Sequence, residues 1–264
     1  MAELKRKVKV AVISDVHLGF IGCKAKELNR YLKTIDPEIL VINGDLIDIW
    51  QFRSYYFPKS HTKVIQRIFK MVGDGVRVYY LTGNHDEMLR RYSGLNLGNL
   101  ELEDKLVLDL DGKLHWFFHG DIFDVSMQGS RWLAKLGTLG YEILILINKM
   151  VNFFLELSGR DKYMFSDRAK AATKRGVKKL HDYAVTGAEI GADNGYHVVI
   201  NGHSHMPEIK EIQTDKSNVL YLNSGDWVEN MTALEYNEGQ WKLVWYKDLV
   251  FPETWLKVEE GDLP

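Results

Sequence analysis

Residues that could bind metal ions occur in five short segments, and the densest is Asn201-Gly202-His203-Ser204-His205. Its two imidazoles lie two residues apart, directly after the apolar run 196–200, and imidazole is the commonest neutral metal ligand. The glycine before the pair lets the chain leave a strand and direct both rings into a cleft. Such a pair alone is more typical of a solvated loop, but four further segments carry matching chemistry.

These four segments follow apolar runs that have the composition of buried strands. Asp15 and His17 follow the run 8–13, Asp45 and Asp48 follow 38–42, Asn84 and His85 follow 76–81, and His119 and Asp121 follow 114–118. Helical spacing at 24–34 and 63–72 separates the first three runs. This alternation predicts an α/β fold with the functional residues at the carboxyl ends of its strands.

The rest of the chain adds strands and turns to this pattern. Asp111-Gly112, between the runs 106–110 and 114–118, is a strong hairpin signal. The C-terminal third contains further strand-like runs at 196–200, 208–213, 218–223, 232–236 and 240–245. We therefore predict two packed mixed sheets with helices outside them.

The strand ends together supply seven candidate metal ligands, none of which is a thiolate: Asp15, His17, Asp45, Asn84, His119, His203 and His205. Oxygen and imidazole donors suit Mn, Fe or Zn ions, and we expect Mn. Seven ligands exceed the need of one ion, and if Asp45 bridges, they divide into two sites. Two divalent ions about 3.5–4 Å apart can clamp a phosphate and activate hydroxide for in-line attack on phosphorus.

His85 lies next to a candidate ligand and is the candidate catalytic acid. An imidazole near the ions can protonate the leaving oxygen, and a carboxylate such as Asp48 can hold its tautomer. Four glycines in the motifs are expected to let the backbone turn sharply, so that the next side chain faces the ions: Gly44, Gly83, Gly120 and Gly202.

Composition limits the protein to a few classes. The 264 residues predict a single domain, 1–264, that contains an insertion. A formal net charge of −2 disfavours a nucleic-acid enzyme. The single cysteine, Cys23, excludes an intrachain disulfide and predicts a reducing compartment. The charged start of the chain lacks the apolar core of a signal peptide, so we expect a cytoplasmic protein.

Residues 126–195 form the predicted insertion. Its segment 131–157 has a wide apolar surface and a charge at every seventh position, which does not fit a membrane span. This surface could pack against its own domain or a homodimer partner, or it could be a cap for acyl chains or a contact with a bilayer. The segment 160–179 has a local excess of six positive charges, which is typical of a solvated helix face or a site for an anionic head group.

Five blocks together resemble the motif set of the calcineurin-like metallophosphoesterases. They are Asp15-x-His17, Gly44-Asp45-x-x-Asp48, Gly83-Asn84-His85-Asp86, His119-Gly120-Asp121 and Gly202-His203-x-His205. The resemblance implies a four-layer α/β/β/α sandwich with a dinuclear centre and His85 as the catalytic acid, oriented by Asp48. It implies one ion held by Asp15, His17, Asp45 and His205, and a second held by Asp45, Asn84, His119 and His203.

Within that family the chain is most similar to the UDP-2,3-diacylglucosamine diphosphatase group of the lipid A pathway and its paralogues. The features that carry this similarity are the long insertion with Arg131-Trp132 and the segment 221–229. The resemblance implies hydrolysis of a UDP-linked glycolipid to UMP and a lipid 1-phosphate, with the insertion as a cap. Enzymes of that group have Arg after the motif Asn, whereas this chain has His85, the residue of the wider family.

Three functions follow from this sequence. The first is a dinuclear pyrophosphatase for a UDP-linked glycolipid, peripheral to the cytoplasmic face of the inner membrane. The second is a phosphodiesterase or phosphomonoesterase for another nucleotide or phospholipid, and the third is a non-catalytic protein-binding scaffold. We expect substrate contacts from residues of the motifs and of the basic segment: Asn84, His85, Asp121, Asp124, Ser166, Lys170, Lys174 and His203.

Overall fold

The computed structural model describes residues 5–49, 56–123 and 183–251. Its strands are β1 (Arg6–Ile13), β2 (Ile35–Asn43), β3 (Arg77–Leu81), β4 (Leu95–Leu97), β5 (Leu100–Glu103), β6 (Lys105–Leu110), β7 (Lys113–Phe118), β8 (Val198–Asn201), β9 (Glu208–Gln213), β10 (Asn218–Asn223), β11 (Thr232–Asn237) and β12 (Gln240–Trp245). Its α-helices are α1 (Ala25–Thr34), α2 (Lys59–Gly73) and α3, of which residues 183–193 are described. Short 3-10 helices span Glu87–Tyr92, Asp121–Phe123 and Tyr246–Asp248.

The strands form two mixed sheets, as the alternation of runs predicts. The seven-stranded sheet has the order β12-β11-β1-β2-β3-β5-β4, and the five-stranded sheet has the order β6-β7-β8-β10-β9. In the first sheet β1, β2 and β3 are parallel neighbours, and in the second β8 is parallel to both β7 and β10. The carboxyl ends of these parallel strands therefore carry the five motifs at the same edge of each sheet.

Three separate hydrophobic cores show that the sandwich has four layers. One core packs Leu28 and Ile68 of the helices α1 and α2 against the outer face of the seven-stranded sheet. A second core lies between the sheets and includes Phe117 and Leu222. The third packs the face of α3 that carries Ala188 on the outer face of the five-stranded sheet. Alternate residues of one strand enter different cores, because side chains of a strand point to opposite faces.

Most predicted elements are confirmed, with differences at three strands. β2 begins at Ile35 rather than at residue 38 and so includes Pro37, which pairs with β1 alone, because pairing with β3 begins at Ile39. A proline is tolerated where one side of the strand is unpaired. The short strands β4 and β5 were not predicted, and β5 exists by pairing with β3. The hairpin at Asp111-Gly112 is present, and both residues have positive φ (57° and 79°).

Much of the predicted insertion lies outside the described residues. The expected substrate contacts Asp124, Ser166, Lys170 and Lys174 also lie outside them, and so does the apolar segment 131–157. The boundaries 126–195 therefore stay a prediction. Among the described helices, none is long and apolar enough to cross a membrane.

Candidate metal centre

The structure brings all seven predicted ligands together between the two sheets. Four of them follow β1, β2 and β3 of the seven-stranded sheet, and three follow β7 and β8 of the five-stranded sheet. Ligand atoms of Asp15, His17 and His205 lie within 4.8 Å of one another, as do those of Asp15, Asp45 and His119. Four of the seven candidate ligands are buried, namely Asp15, His17, Asp45 and His119, and the other three, Asn84, His203 and His205, are half-buried.

Five of the ligands have a backbone conformation that side chains rarely adopt. The φ angles are 51° at Asp15, 55° at His17, 54° at Asp45, 63° at His203 and 56° at His205. Each such residue costs about 1–3 kcal/mol and persists only where the surrounding structure holds it. Neighbouring ligand loops supply that restraint, since the backbone N–H of Asp15 donates to the Gly44 carbonyl (3.2 Å) and that of His17 to the Asp45 carbonyl (2.9 Å).

Asp15, His17 and His205 form a cluster suited to one divalent ion. The Nε2 atom of His205 lies 3.2 Å from Asp15 Oδ1 and 3.4 Å from His17 Nε2. Ligands about 2.1 Å from a shared ion are separated by about 3.0–3.4 Å in octahedral or tetrahedral geometry, so this spacing fits a metal site. The buried Oδ1 of Asp15 also has no hydrogen-bond partner among the described residues. The donor set therefore fits a divalent metal ion.

Asp45 lies between this cluster and a second one. Its Oδ2 is 3.9 Å from His17 Nε2 on one side and 3.3 Å from His119 Nε2 on the other. His119 Nε2 is also 3.3 Å from Asn84 Oδ1, and the rings of His119 and His203 have centroids 5.2 Å apart. His119 Nδ1 lies 2.9 Å from the Asn43 carbonyl, which leaves Nε2 to face the cluster. A carboxylate in this position can bridge two ions.

Two glycines are required by close packing rather than by a sharp turn. We expected all four motif glycines to provide turns, and positive φ is found at Gly44 (85°) and Gly120 (120°). Gly83 and Gly202 do not have positive φ. A Cβ at Gly83 would overlap Asp45 Oδ1, and a Cβ at Gly202 would overlap the carboxylate of Asp15. These two positions therefore leave space for ligand carboxylates.

Asp48 connects the candidate catalytic acid to a candidate metal ligand. Its Oδ1 lies 3.1 Å from His85 Nδ1, and its Oδ2 lies 3.7 Å from His17 Nδ1. A carboxylate beside Nδ1 favours the tautomer with the proton on that atom and leaves Nε2 for other chemistry. The backbone N–H of His85 also donates to Asp45 Oδ1 (2.8 Å). This hydrogen bond fixes the backbone of the candidate acid relative to Asp45, the carboxylate between the two clusters.

Opposite charges shift the pKa values of the clustered groups. Burial raises the pKa of Asp15, but the imidazoles of His205 and His119 outweigh it and lower this pKa to about 2. Burial lowers the pKa of His205, but Asp15 outweighs it and raises this pKa to about 9. The pKa of His119 is likewise held well above its usual range by Asp45 and Asp15, against the effect of burial. Without metal, the carboxylates thus favour the protonated form of His119 and His205.

Asp86 is a supporting residue that the sequence analysis quoted in a motif but gave no role. It is fully buried, and its carboxylate accepts hydrogen bonds from the N–H groups of Leu46 (3.0 Å) and Gly83 (2.6 Å) and from the Tyr80 hydroxyl (2.6 Å). It thereby connects the loop of Asp45 to the loop of Asn84. A short polar side chain directly after a catalytic motif was the signal in the sequence.

Asp121, an expected substrate contact, pairs with an arginine in the structure. Its Oδ2 accepts a hydrogen bond from Arg90 Nη2 at 2.6 Å. Arg90 Nε also donates to Thr82 Oγ1 (3.3 Å). The pair therefore connects the loop after β7 to the loop after β3, and the role of Asp121 toward substrate stays a prediction.

Comparison with known proteins agrees with this geometry. A family model described as calcineurin-like phosphoesterase matches residues 8–207, which is more than half of the chain and contains every proposed ligand. The chain belongs to the calcineurin-like phosphoesterase family. It is accordingly a metal-dependent hydrolase and a phosphoesterase, and the clusters described above are its candidate sites for divalent ions.

This phosphoesterase has relatives of similar length. It is 27% identical over 244 residues to a protein named UDP-2,3-diacylglucosamine hydrolase from Aeromonas salmonicida (strain A449), covering 88% of this chain and 91% of the relative. It is 26% identical over 246 residues to a protein of the same name from Aliivibrio fischeri (strain MJ11), covering 89% and 97%. Among solved structures, an archaeal phosphodiesterase matches 89% of this chain and 98% of its own at 13% identity, with a TM-score of 0.43.

Replacing Gly83 by alanine tests the space beside Asp45. Because the new Cβ would overlap Asp45 Oδ1, Gly83→Ala should weaken Mn²⁺ binding by about tenfold or more while the protein still folds. Calorimetric titration of chelator-treated protein measures the binding. Gly73→Ala is the matched control, since a Cβ at that position meets nothing within 4 Å. Equal Mn²⁺ affinity in both variants would contradict the packing argument.

Metal binding should release protons at pH 7. His205, with a pKa of about 9 in the metal-free protein, carries a proton there, and an ion can reach Nε2 only after that proton leaves. Metal affinity should therefore fall as the pH is lowered. Titrations with Mn²⁺ in buffers of different ionisation enthalpy count the released protons. A heat of binding that does not depend on the buffer would contradict this assignment.

The same pKa predicts how the metal-free protein responds to pH. A folded pKa raised above the unfolded value of about 6.5 contributes stability that is present below pH 6.5 and lost as the pH rises through 9. Denaturant unfolding of chelator-treated protein between pH 6.5 and 9 should show this fall.

Proposed function

We propose that this phosphoesterase uses two divalent ions to hydrolyse the pyrophosphate of a UDP-linked glycolipid, releasing UMP and a lipid 1-phosphate. The observation that carries the dinuclear part is the position of Asp45, whose Oδ2 faces His17 on one side and His119 on the other. A carboxylate placed between two groups of imidazoles is the arrangement that two ions sharing one ligand require.

Each ion would have its own set of ligands. Asp15, His17, Asp45 and His205 would hold one ion, and Asp45, Asn84, His119 and His203 would hold the other. Bound divalent ions supply Lewis acidity at the phosphoryl oxygens and lower the pKa of water. The oxygen and imidazole donors support Mn, with Fe or Zn as alternatives.

His85 would donate the proton to the leaving oxygen. Its Nδ1 faces Asp48 at 3.1 Å, so Nε2 is the atom that carries the transferable proton when the ring is charged. Burial lowers the pKa of His85, but the hydrogen bond to Asp48 and the charge of Asp45 outweigh it and raise this pKa above the usual value. A larger fraction of the ring is therefore charged at neutral pH than in an ordinary histidine, which suits a general acid.

The names of the relatives support the glycolipid substrate. Both relatives compared above are named UDP-2,3-diacylglucosamine hydrolase. The apolar and basic segments of the insertion would suit acyl chains and an anionic head group, and they support a peripheral position at the cytoplasmic membrane face. His85, where the lipid A enzymes have Arg, favours the second candidate, a phosphodiesterase or phosphomonoesterase for another nucleotide or phospholipid.

Comparing two substrates decides between these candidates. With added Mn²⁺, the protein should release UMP from UDP-2,3-diacylglucosamine rapidly and cleave bis-p-nitrophenyl phosphate slowly. Asp45→Ala should abolish both activities, because both ion sites lose a ligand. Efficient cleavage of the small diester with no release of UMP would instead support the second candidate. Absence of both activities in a protein that binds Mn²⁺ would contradict the proposed catalysis.

The role of His85 predicts a dependence on the leaving group. His85→Ala should lower kcat by about 10²-fold or more for a substrate whose leaving oxygen needs a proton. Hydrolysis of a diester that releases p-nitrophenolate should be affected much less, because that anion leaves without protonation. Asp48→Asn should give a smaller loss in the same direction. Equal losses on both substrates would show that His85 acts on something other than the leaving oxygen.

A further inference from the structure

The loop that connects β10 to β11 supports the backbone of two proposed ligands. The backbone N–H of Trp227 donates to the Asp15 carbonyl at 3.1 Å. The side-chain amide of Asn230 donates to the His205 carbonyl at 2.8 Å. Asp15 and His205 come from different sheets and meet at 3.2 Å, so this one loop contacts both halves of the same cluster.

Asp226 holds this loop in place. It is fully buried, and its Oδ1 accepts hydrogen bonds from the backbone N–H groups of Val228 (2.7 Å), Glu229 (2.5 Å) and Asn230 (3.3 Å). Its Oδ2 accepts a hydrogen bond from the Asn230 side-chain amide at 2.5 Å. Both hydrogens of that amide are therefore used, one by Asp226 and one by His205, and its orientation is fixed from two sides.

His205 needs such a restraint, because its φ of 56° is costly for a residue with a side chain. We propose that Asn230, oriented by Asp226, is a positioning residue that holds His205 in this conformation and so places its imidazole at the ion site of Asp15 and His17. This inference rests on the proposed function, since it takes His205 as a metal ligand. It assigns a role to the loop between β10 and β11, whose residues take no part in the proposed chemistry.

The test compares Mn²⁺ binding in chelator-treated variants. Asn230→Ala should weaken one of two Mn²⁺ sites by about tenfold and leave the other unchanged, because the second set of ligands does not include His205. Calorimetric titration gives both affinities. Electron paramagnetic resonance should show isolated Mn²⁺ at concentrations where the unchanged protein shows a coupled pair.

Asn194→Ala is the matched control. Asn194 also donates a side-chain hydrogen bond of 2.8 Å to a backbone carbonyl, that of Ile190, but at an exposed position in the turn directly after α3. Asn194→Ala removes one amide hydrogen bond and Asn230→Ala removes two, so a general loss of stability should lower the Tm of both, whereas only Asn230→Ala should change Mn²⁺ binding. Unchanged affinity at both sites in Asn230→Ala would overturn the proposal, and so would equal weakening of both sites.

A second variant covers the case in which Asn230→Ala does not fold. Asp226→Asn keeps an oxygen for the three backbone N–H groups but places an amide against Asn230, so it should weaken the same single site. The double variant should lose no more affinity than either single one, because both changes break one chain of contacts. If the unchanged protein binds fewer than two ions, the proposed function fails; if it binds two and neither variant weakens a site, only this inference fails.

Discussion

Burial of four carboxylates in one cleft is the constraint on which the rest of the site depends. Asp15, Asp45, Asp48 and Asp86 are each 2% exposed or less, so their charges repel in a medium that screens poorly. Positive charge must therefore lie close to these carboxylates to offset their repulsion, either as imidazolium or as metal ions. Backbone N–H groups supply further stabilisation, as those of His85, Leu46 and Gly83 show. The histidines and glycines around these aspartates are residue types that meet this need for nearby positive charge and for backbone N–H donors.

The parallel strands make this concentration of charge feasible. β1, β2 and β3 end side by side, and so do β7 and β8, which lets apolar strand interiors form the cores while polar residues follow at one edge. Among the candidate ligands, the strain of positive φ angles falls within four residues after the end of a strand. Stable packing and unfavourable local geometry are thus separated along the chain by only a few residues.

The sequence was sufficient for the parts of the fold that depend on local pattern. Buried runs predicted β1, β2 and β3, and Asp111-Gly112 predicted its hairpin, because these signals act over a few residues. The strands β4 and β5 have three and four residues and depend on pairing with β3, which no local pattern encodes. The start of β2 was predicted too late, after Pro37. A proline is tolerated there because β3 begins to pair with β2 only at Ile39, which the local sequence does not reveal.

The candidate site divides in the same way. Types and spacing of residues were enough to select the seven candidate ligands that the folded chain brings together, because their chemistry is visible in the motifs. The supports of those ligands were not predictable: Asp86 acts on loops forty residues apart, and Gly83 matters for the space it leaves beside Asp45. Such roles depend on distances between segments that only the folded chain brings together.

The division of the ligands between the sheets has a mechanical consequence. His119, His203 and His205 belong to one sheet, whereas Asp15, His17, Asp45 and Asn84 belong to the other. Ions shared by these two sets would join the two sheets at one end, while the apolar core between the sheets, together with the contacts of Asp111 with Lys9 and Tyr236, joins them further along. Sliding of one sheet over the other would then require metal–ligand bonds to break. The ions that serve the chemistry would therefore also hold the two sheets in a fixed relative position.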